Sequence, residues 1–214
     1  MDVVDIPLIG GHPALDFINT WEKPGEIDEV NYLQTYAALV EWSVAAKLTD
    51  PAAASALLGL AMRKPEQARL AWKRAMSLRK HLLAVIHRLS QSKGVASAHL
   101  EALNELVAAA MDGRDLQPAR TGPLAWHWKN ELDLDIVWMK LAVEAAALLT
   151  DPAHQRRVKT CANGKCGWVF LDATGRRRWC RMNVCGSASK VRRFRDRQKR
   201  LARKSRTFSA RRST

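Results

Sequence analysis

Over most of the first 150 residues the apolar positions recur at intervals of three and four, the period of a helix with one face in a core. Leu33, Tyr36, Ala37, Val40, Val44 and Leu48 write one such helix within residues 31–48. Asp50 followed by Pro51 is an N-cap with proline at the first helical position, so a second helix starts there and ends before Pro65. A longer one over residues 66–91 carries Leu70, Leu78, Leu82, Val85, Ile86 and Leu89 on its apolar side, and Gly94 closes it. Leu100, Leu103, Leu106 and Val107 mark a helix over 96–111, and Ile136, Val137, Leu141, Val143 and Leu148 mark another over 133–149. Asp151-Pro152 restarts a turn or helix.

Two stretches break this period. GGHPALDFINTWEKPGE, residues 10–26, is rich in Gly, Pro and turn formers, and suits an irregular segment or a short strand near Leu15–Trp21. Residues 115–129 hold Pro118, Pro123, a Thr121-Gly122 turn and alternating Leu124, Trp126 and Trp128, which predicts a small β-hairpin. The fold class is therefore mainly α with a minor β-hairpin, and residues 1–155 form a helical N-terminal domain. Its tryptophans, at 21, 42, 72, 126, 128 and 138, are expected in the core. The histidines form neither H-x-x-x-H nor H-E-x-x-H, so no histidine metal site is expected.

At 47% hydrophobic and 26% charged residues, the composition is that of an ordinary globular protein and excludes collagenous or wholly disordered chains. The apolar runs are interrupted by Lys47, Asp50, Pro51, Arg63 and Lys64, too often for a membrane-spanning helix. The first residues, MDVVDIPLIGG, lack a basic start and a sustained apolar core, so a cytoplasmic protein is expected.

Charge changes the picture once it is located. Residues 156–214 hold 20 of the 35 Lys and Arg against only Asp172 and Asp196, a charge of +18, while residues 1–155 carry −4. A slightly acidic body joined to a strongly basic end points to a polyanionic partner for that end. Cys161, Cys166, Cys180 and Cys185 also lie there, spaced C-x4-C-x13-C-x4-C.

Two close cysteine pairs on turns, in a reducing compartment, suit a tetrahedral ion with one sulfur from each residue. Asn163-Gly164 and Asn183, with Gly167 and Gly186 after each second cysteine, are residues that tolerate positive φ in such turns. Between the pairs an alternating Trp168 and Phe170 stretch, a turn over residues 172–175 and a basic return strand ending at Trp179 complete a module over residues 156–188. So small a unit needs an ion to fold, and one structural Zn2+ per chain is the first reading; reduced or redox-active thiols and a four-thiolate iron site are the alternatives. Four cysteines leave no open position for a catalytic zinc.

Residues 189–214 read as a basic helix and tail. Val191, Phe194, Leu201 and Phe208 form a narrow apolar seam, and Lys190, Arg192, Arg193, Arg195, Arg197, Lys199 and Arg200 surround its first half. With Asp196 as the only acid, this helix is expected to bind nucleic acid.

CANGKCGWVFLDATGRRRWCRMNVCG, followed by a Lys/Arg-rich helix, resembles the C-x4-C-G-W-x-F-x-D…R-R-W-C-x-M-x-x-C-G pattern of the bacterial CGNR zinc-finger proteins. GGHPALDFINT is similar to the G-x-x-x-L-D-x-x-N-T opening of their N-terminal domain, called ABATE. The resemblance implies a stress-induced transcription regulator with a zinc finger. The sequence departs from it where Cys185-Gly186-Ser187-Ala188 replaces the Cys-Gly-Asn-Arg that names the family.

The leading function is thus zinc-dependent DNA binding by a regulator with a helical sensor or assembly domain. Arg176, Arg177, Arg178 and Arg181 are expected to position or read bases, and the helix cations to meet phosphates. The runner-up is an RNA-binding or ribosome-associated protein in which Trp168, Phe170 and Trp179 stack on bases. A third class places a small-molecule effector site or an enzymatic centre in the N-terminal domain, around His12, Asp16, Asn19 and Thr20. No nucleophile, phosphate loop or carboxylate pair accompanies those four residues, so an enzyme is not expected.

Overall fold

The structure, a computed structural model, describes residues 5–24, 26–27 and 29–210, with side chains through residue 200. The seam positions Leu201 and Phe208 and tail residues 211–214 lie outside the described side chains and residues.

Capping and proline chemistry fix the helix boundaries around residues 50 and 64. The Asp50 carboxylate accepts from the Ala52 and Ala53 N–H groups at 3.0 and 2.9 Å and opens α3 (Pro51–Arg63). Only Lys64 separates α3 from α4 (Pro65–Ser90), because Pro65 has no N–H to continue the first helix yet suits the first turn of the next. At 26 residues α4 runs about 39 Å. It packs against α5 (Ser97–Asp112) and α6 (Ile136–Thr150), and with them holds the centre of the body. Leu78, Leu82 and Ile86 of α4 and Ile136, Val137 and Leu141 of α6 are closed to solvent in one apolar cluster. The expected hairpin forms as β3 (Arg114–Gln117) and β4 (Ala125–Trp128), antiparallel with Leu116 opposite Trp126.

Several sequence expectations change. Residues 13–18 form a helix, α1 (Pro13–Ile18), where a short strand was expected, and the strand β1 is confined to Trp21–Glu22, paired with β2 (Val30–Asn31). Pro13 occupies the first helical position, and His12 Nδ1 accepts from the Ala14 N–H. Every residue from Ala14 to Ile18 is buried, which erases any two- or four-residue period. The next helix, α2 (Tyr36–Ala45), starts three residues after its first apolar position, Leu33, since Thr35 Oγ1 caps it by accepting from the Ala38 N–H at 3.1 Å. Trp42 and Trp138 are core residues, but Trp126 is 47% exposed. The Arg114 guanidinium sits 5.2 Å from the Trp126 ring centre and 5.0 Å from that of Trp128, so cation–π attraction holds these rings on the hairpin.

After the short α7 (Pro152–Gln155) the chain forms β5 (Val158–Thr160), which pairs antiparallel with β6 (Val169–Leu171). The partner of the Trp168–Phe170 stretch is thus the segment before the first cysteine, and residues 176–179 form no strand. Arg177 explains the difference. Its Nη2 donates to the Ile9 carbonyl at 2.9 Å and the Cys180 carbonyl at 2.6 Å, and its guanidinium stacks 4.1 Å from the Phe170 ring centre. These bonds tuck the segment inward. A π-turn, Met182–Gly186, then runs directly into α8 (Ser187–Ala210). Among the described residues no helix is long and apolar enough to cross a membrane.

Candidate metal centre and basic helix

The two cysteine turns are built differently. In the first, the Cys166 N–H donates to the Asn163 carbonyl at 2.8 Å, and Gly167 takes φ +73°, a conformation that costs glycine little. The second is the π-turn, in which the Cys185 and Gly186 N–H groups both donate to the Arg181 carbonyl, at 3.0 and 3.1 Å. Positive φ, expected around both turns, is therefore confined to Gly167 here. Asn163 instead acts through its side chain, with Nδ2 donating to Cys185 Sγ at 3.4 Å and Oδ1 accepting from Arg192 Nη2 at 2.7 Å.

All four sulfurs lie within 4.8 Å of one another, and Cys180 Sγ is 3.5 Å from both Cys166 Sγ and Cys185 Sγ. A tetrahedron with bonds of about 2.3 Å has edges of about 3.8 Å, so the four residues fit one ion of zinc's bond length. The Cys180 N–H points at Cys161 Sγ, 3.4 Å away, a donor that favours thiolate. Four thiols this close oppose one another's ionisation. Cys180 is drawn down by hydrogen bonds from Cys166 and its neighbours, while Cys166 is pushed up by the same bond and then by burial. A divalent cation at the centre removes that opposition. Trp168 and Phe170 are buried behind the sulfurs and are not available to stack on a base, and the half-buried Trp179 donates to Ser189 Oγ at 3.2 Å.

Of the arginines expected to meet bases, Arg177 is spent on the interior. Arg178 is exposed beside the Trp179 ring, and its carbonyl accepts from the Ala162 N–H at 2.8 Å. Arg176 is exposed on the Asp172 turn, and Arg181 is half-buried where the π-turn begins. Lys190, Arg192, Arg193, Arg195, Lys199 and Arg200 are all exposed on α8. Ser187 and Ala188, which stand where the resembled pattern has Asn and Arg, form the first turn of α8, and Ser187 Oγ donates to the Met182 carbonyl.

His12 caps the N-terminus of α1 and Asp16, Asn19 and Thr20 lie on it or just past its C-terminal end; His12 faces Glu144 and His154 of the body, while Asp16 and Asn19 join the body to the cysteine module. Asn19 is 2% exposed and grips β6 with both ends of its amide, Nδ2 donating to the Val169 carbonyl and Oδ1 accepting from its N–H, each at 2.9 Å. Asp16 accepts from the Gly10 N–H at 2.6 Å, and the Gly10 carbonyl accepts from the Leu171 N–H at 2.8 Å. Burial pushes the Asp16 carboxyl up to about 6 despite the Gly10 N–H. Thr20 Oγ1 accepts from the buried Arg79 at 2.7 Å. A side chain at Gly10 would bring a Cβ within 2.8 Å of Leu15 and 2.9 Å of the Asp16 backbone, so the glycine is required for this close approach.

On the module side, Asp172 is the fixed point. Its Oδ2 pairs with Lys159 Nζ at 2.5 Å, and its Oδ1 accepts from the Arg177 N–H and from Thr174, which holds its carboxyl down at about 2. The sequence marks Asp172 only as a turn residue, and nothing local in it links Lys159 to that turn.

A family model named ABATE, described as "putative stress-induced transcription regulator", matches residues 11–152. A second, the CGNR zinc finger, matches residues 157–198, which include all four cysteines and the first half of α8. No curated protein matches the chain. The Gly10–Thr20 seam lies almost wholly in the first match and its partner strand β6 in the second, so the chain belongs to the ABATE family and carries a CGNR zinc finger at its C-terminal side.

Proposed function

We propose that this protein is a zinc-dependent, DNA-binding transcription regulator of the cytoplasm, acting by binding and not by catalysis. The observation that carries the reading is α8. Seven cations, Lys190, Arg192, Arg193, Arg195, Arg197, Lys199 and Arg200, stand exposed on its first four turns beside the single acid Asp196. The helix starts two residues after Cys185, directly out of the π-turn that holds it, so an ion held by Cys161, Cys166, Cys180 and Cys185 fixes the direction in which those charges leave the body. Zinc fits the donor set, because four thiolates in a closed shell suit a structural ion. The helical body supplies the sensing or assembly function, with a small-molecule effector as its input.

The test is a titration of the full chain against a fluorescent duplex over a salt series, with and without bound zinc. Four to eight phosphate contacts give a log–log slope of about −4 to −7. Replacing Lys190, Arg195, Arg197 and Lys199 by Ala flattens the slope by about 3–4. Absence of binding at low salt, or a slope that ignores the four substitutions, refutes the reading. Stronger competition by RNA than by duplex DNA replaces it with an RNA-binding role.

A further inference from the structure

The module occupies one side of α8 and thereby defines the side that is free. Ser189 Oγ accepts from Trp179 Nε1 at 3.2 Å, and Arg192 Nη2 donates to Asn163 Oδ1 at 2.7 Å. These two residues, three apart, mark the module's side. At about 100° per residue, Ser187, Val191, Phe194 and Gln198 line up as a single stripe roughly 160° around the helix from that side. All four are exposed, Val191 at 49% and Phe194 at 63%.

The stripe has a chemistry distinct from its borders. It holds two apolar side chains, a carboxamide and a hydroxyl, and no charge. Lys190 and Arg197 border it on one edge, and Arg195 and Lys199 on the other. Asp196 falls toward the module's side, away from the stripe. A solvated helix face places its charges outermost, yet here the outermost line is the uncharged one, with a row of cations on each flank. That arrangement matches a major groove, which offers base edges at its floor and a phosphate wall on each side, and which is wide enough to admit a helix.

Resting on the proposed DNA-binding role, we propose that Val191, Phe194 and Gln198 are the specificity-determining residues, reading an A·T-containing site from the major groove. Val191 and Phe194 pack against thymine C5-methyl groups, and the Gln198 carboxamide pairs with N6 and N7 of an adenine. Lys190, Arg197, Arg195 and Lys199 hold the phosphates on the two sides. From Ser187 to Gln198 the stripe runs about 16 Å, the length of roughly five base pairs.

Selection of bound duplexes from a random pool by the full zinc-loaded chain, followed by titrations with Gln198→Ala and the double variant Val191→Ser, Phe194→Ser, tests this assignment. All three positions are exposed, and unchanged zinc content and melting temperature confirm that the variants are folded. The wild-type chain selects a core of about five base pairs containing adjacent A·T pairs. Gln198→Ala lowers the preference for adenine at one position by roughly 5- to 150-fold and leaves the salt slope unchanged. Replacing thymidine by deoxyuridine in the selected site weakens the wild-type protein and not the double variant. Binding with the same sequence preference in the variants and the wild type overturns this assignment and leaves the DNA-binding reading in place. Absence of duplex binding by the wild-type chain overturns both.

Discussion

Replacing Asn19 by Ala removes the clamp between body and module. Asn19 is 2% exposed, and both of its bonds, each 2.9 Å, go to the backbone of Val169, which is wholly buried. The substitution leaves a buried N–H and a buried carbonyl unpaired at about 1–3 kcal/mol each, and partial relief by water brings the total to about 2–4 kcal/mol. For a chain of 214 residues that corresponds to a fall in melting temperature of about 5–15 °C. The assay is a thermal melt of zinc-loaded protein followed by circular dichroism and by tryptophan fluorescence, since Trp168 reports on the module. Asn19→Asp sharpens the test, because a carboxylate cannot donate to the Val169 carbonyl. Burial and that carbonyl raise the aspartyl pKa in the folded state, so the variant is most stable at low pH and loses stability as pH rises through the folded value. A melt of Asn19→Ala within 1–2 °C of the wild type, with full zinc content, refutes the reasoning.

Three further outcomes follow from the same geometry. Arg177→Lys loses the guanidinium Nη2 that donates to both the Ile9 and Cys180 carbonyls, and lowers stability by about 2–3 kcal/mol in denaturant titrations while leaving any DNA sequence preference unchanged. Asp16 binds a proton more tightly folded, with a pKa of about 6, than unfolded, so its contribution to stability falls between about pH 4 and 6. Asp16→Asn removes up to about 2 kcal/mol of that slope in urea titrations across this window, and an unchanged slope refutes the assignment. Metal analysis gives about one zinc per chain, and chelation abolishes the near-ultraviolet signal of Trp168 and Trp179 while most far-ultraviolet helicity survives in α3–α6. Complete loss of helicity on chelation means that the body has no core of its own.

What could be read in advance was local. The boundaries of α3 and α4 follow from Asp50, Pro51 and Pro65, and the four-cysteine cluster follows from two equal spacers. The family resemblance carried by the cysteine turns and by the Gly10–Thr20 segment agrees with the family matches. What escaped was non-local or too short to have a period. α1 has six residues and no solvent face to interrupt its apolar run. The clamp joins Asn19 to Val169 across 150 residues of sequence, which no local pattern could show. Arg177 is the middle of three consecutive arginines, and only the fold singles it out for the interior while Arg176 and Arg178 face solvent.

The unbroken passage from the π-turn into α8 makes the helix a lever whose fulcrum is the cysteine cluster. Gln198 lies 13 residues beyond Cys185, an arm of about 20 Å. Tilting the fulcrum by about 10° carries the end of that arm about 3.4 Å, the rise of one base pair. The module rests on the body through Asn19, Gly10, Ile9 and the Ser90–Thr160 contact, so small movements of α1 or of the end of α4 are magnified at the far end of α8. In the proposed DNA-binding role, a tilt of about 10° at the fulcrum would shift the far end of the arm by one base-pair step with nothing unfolded.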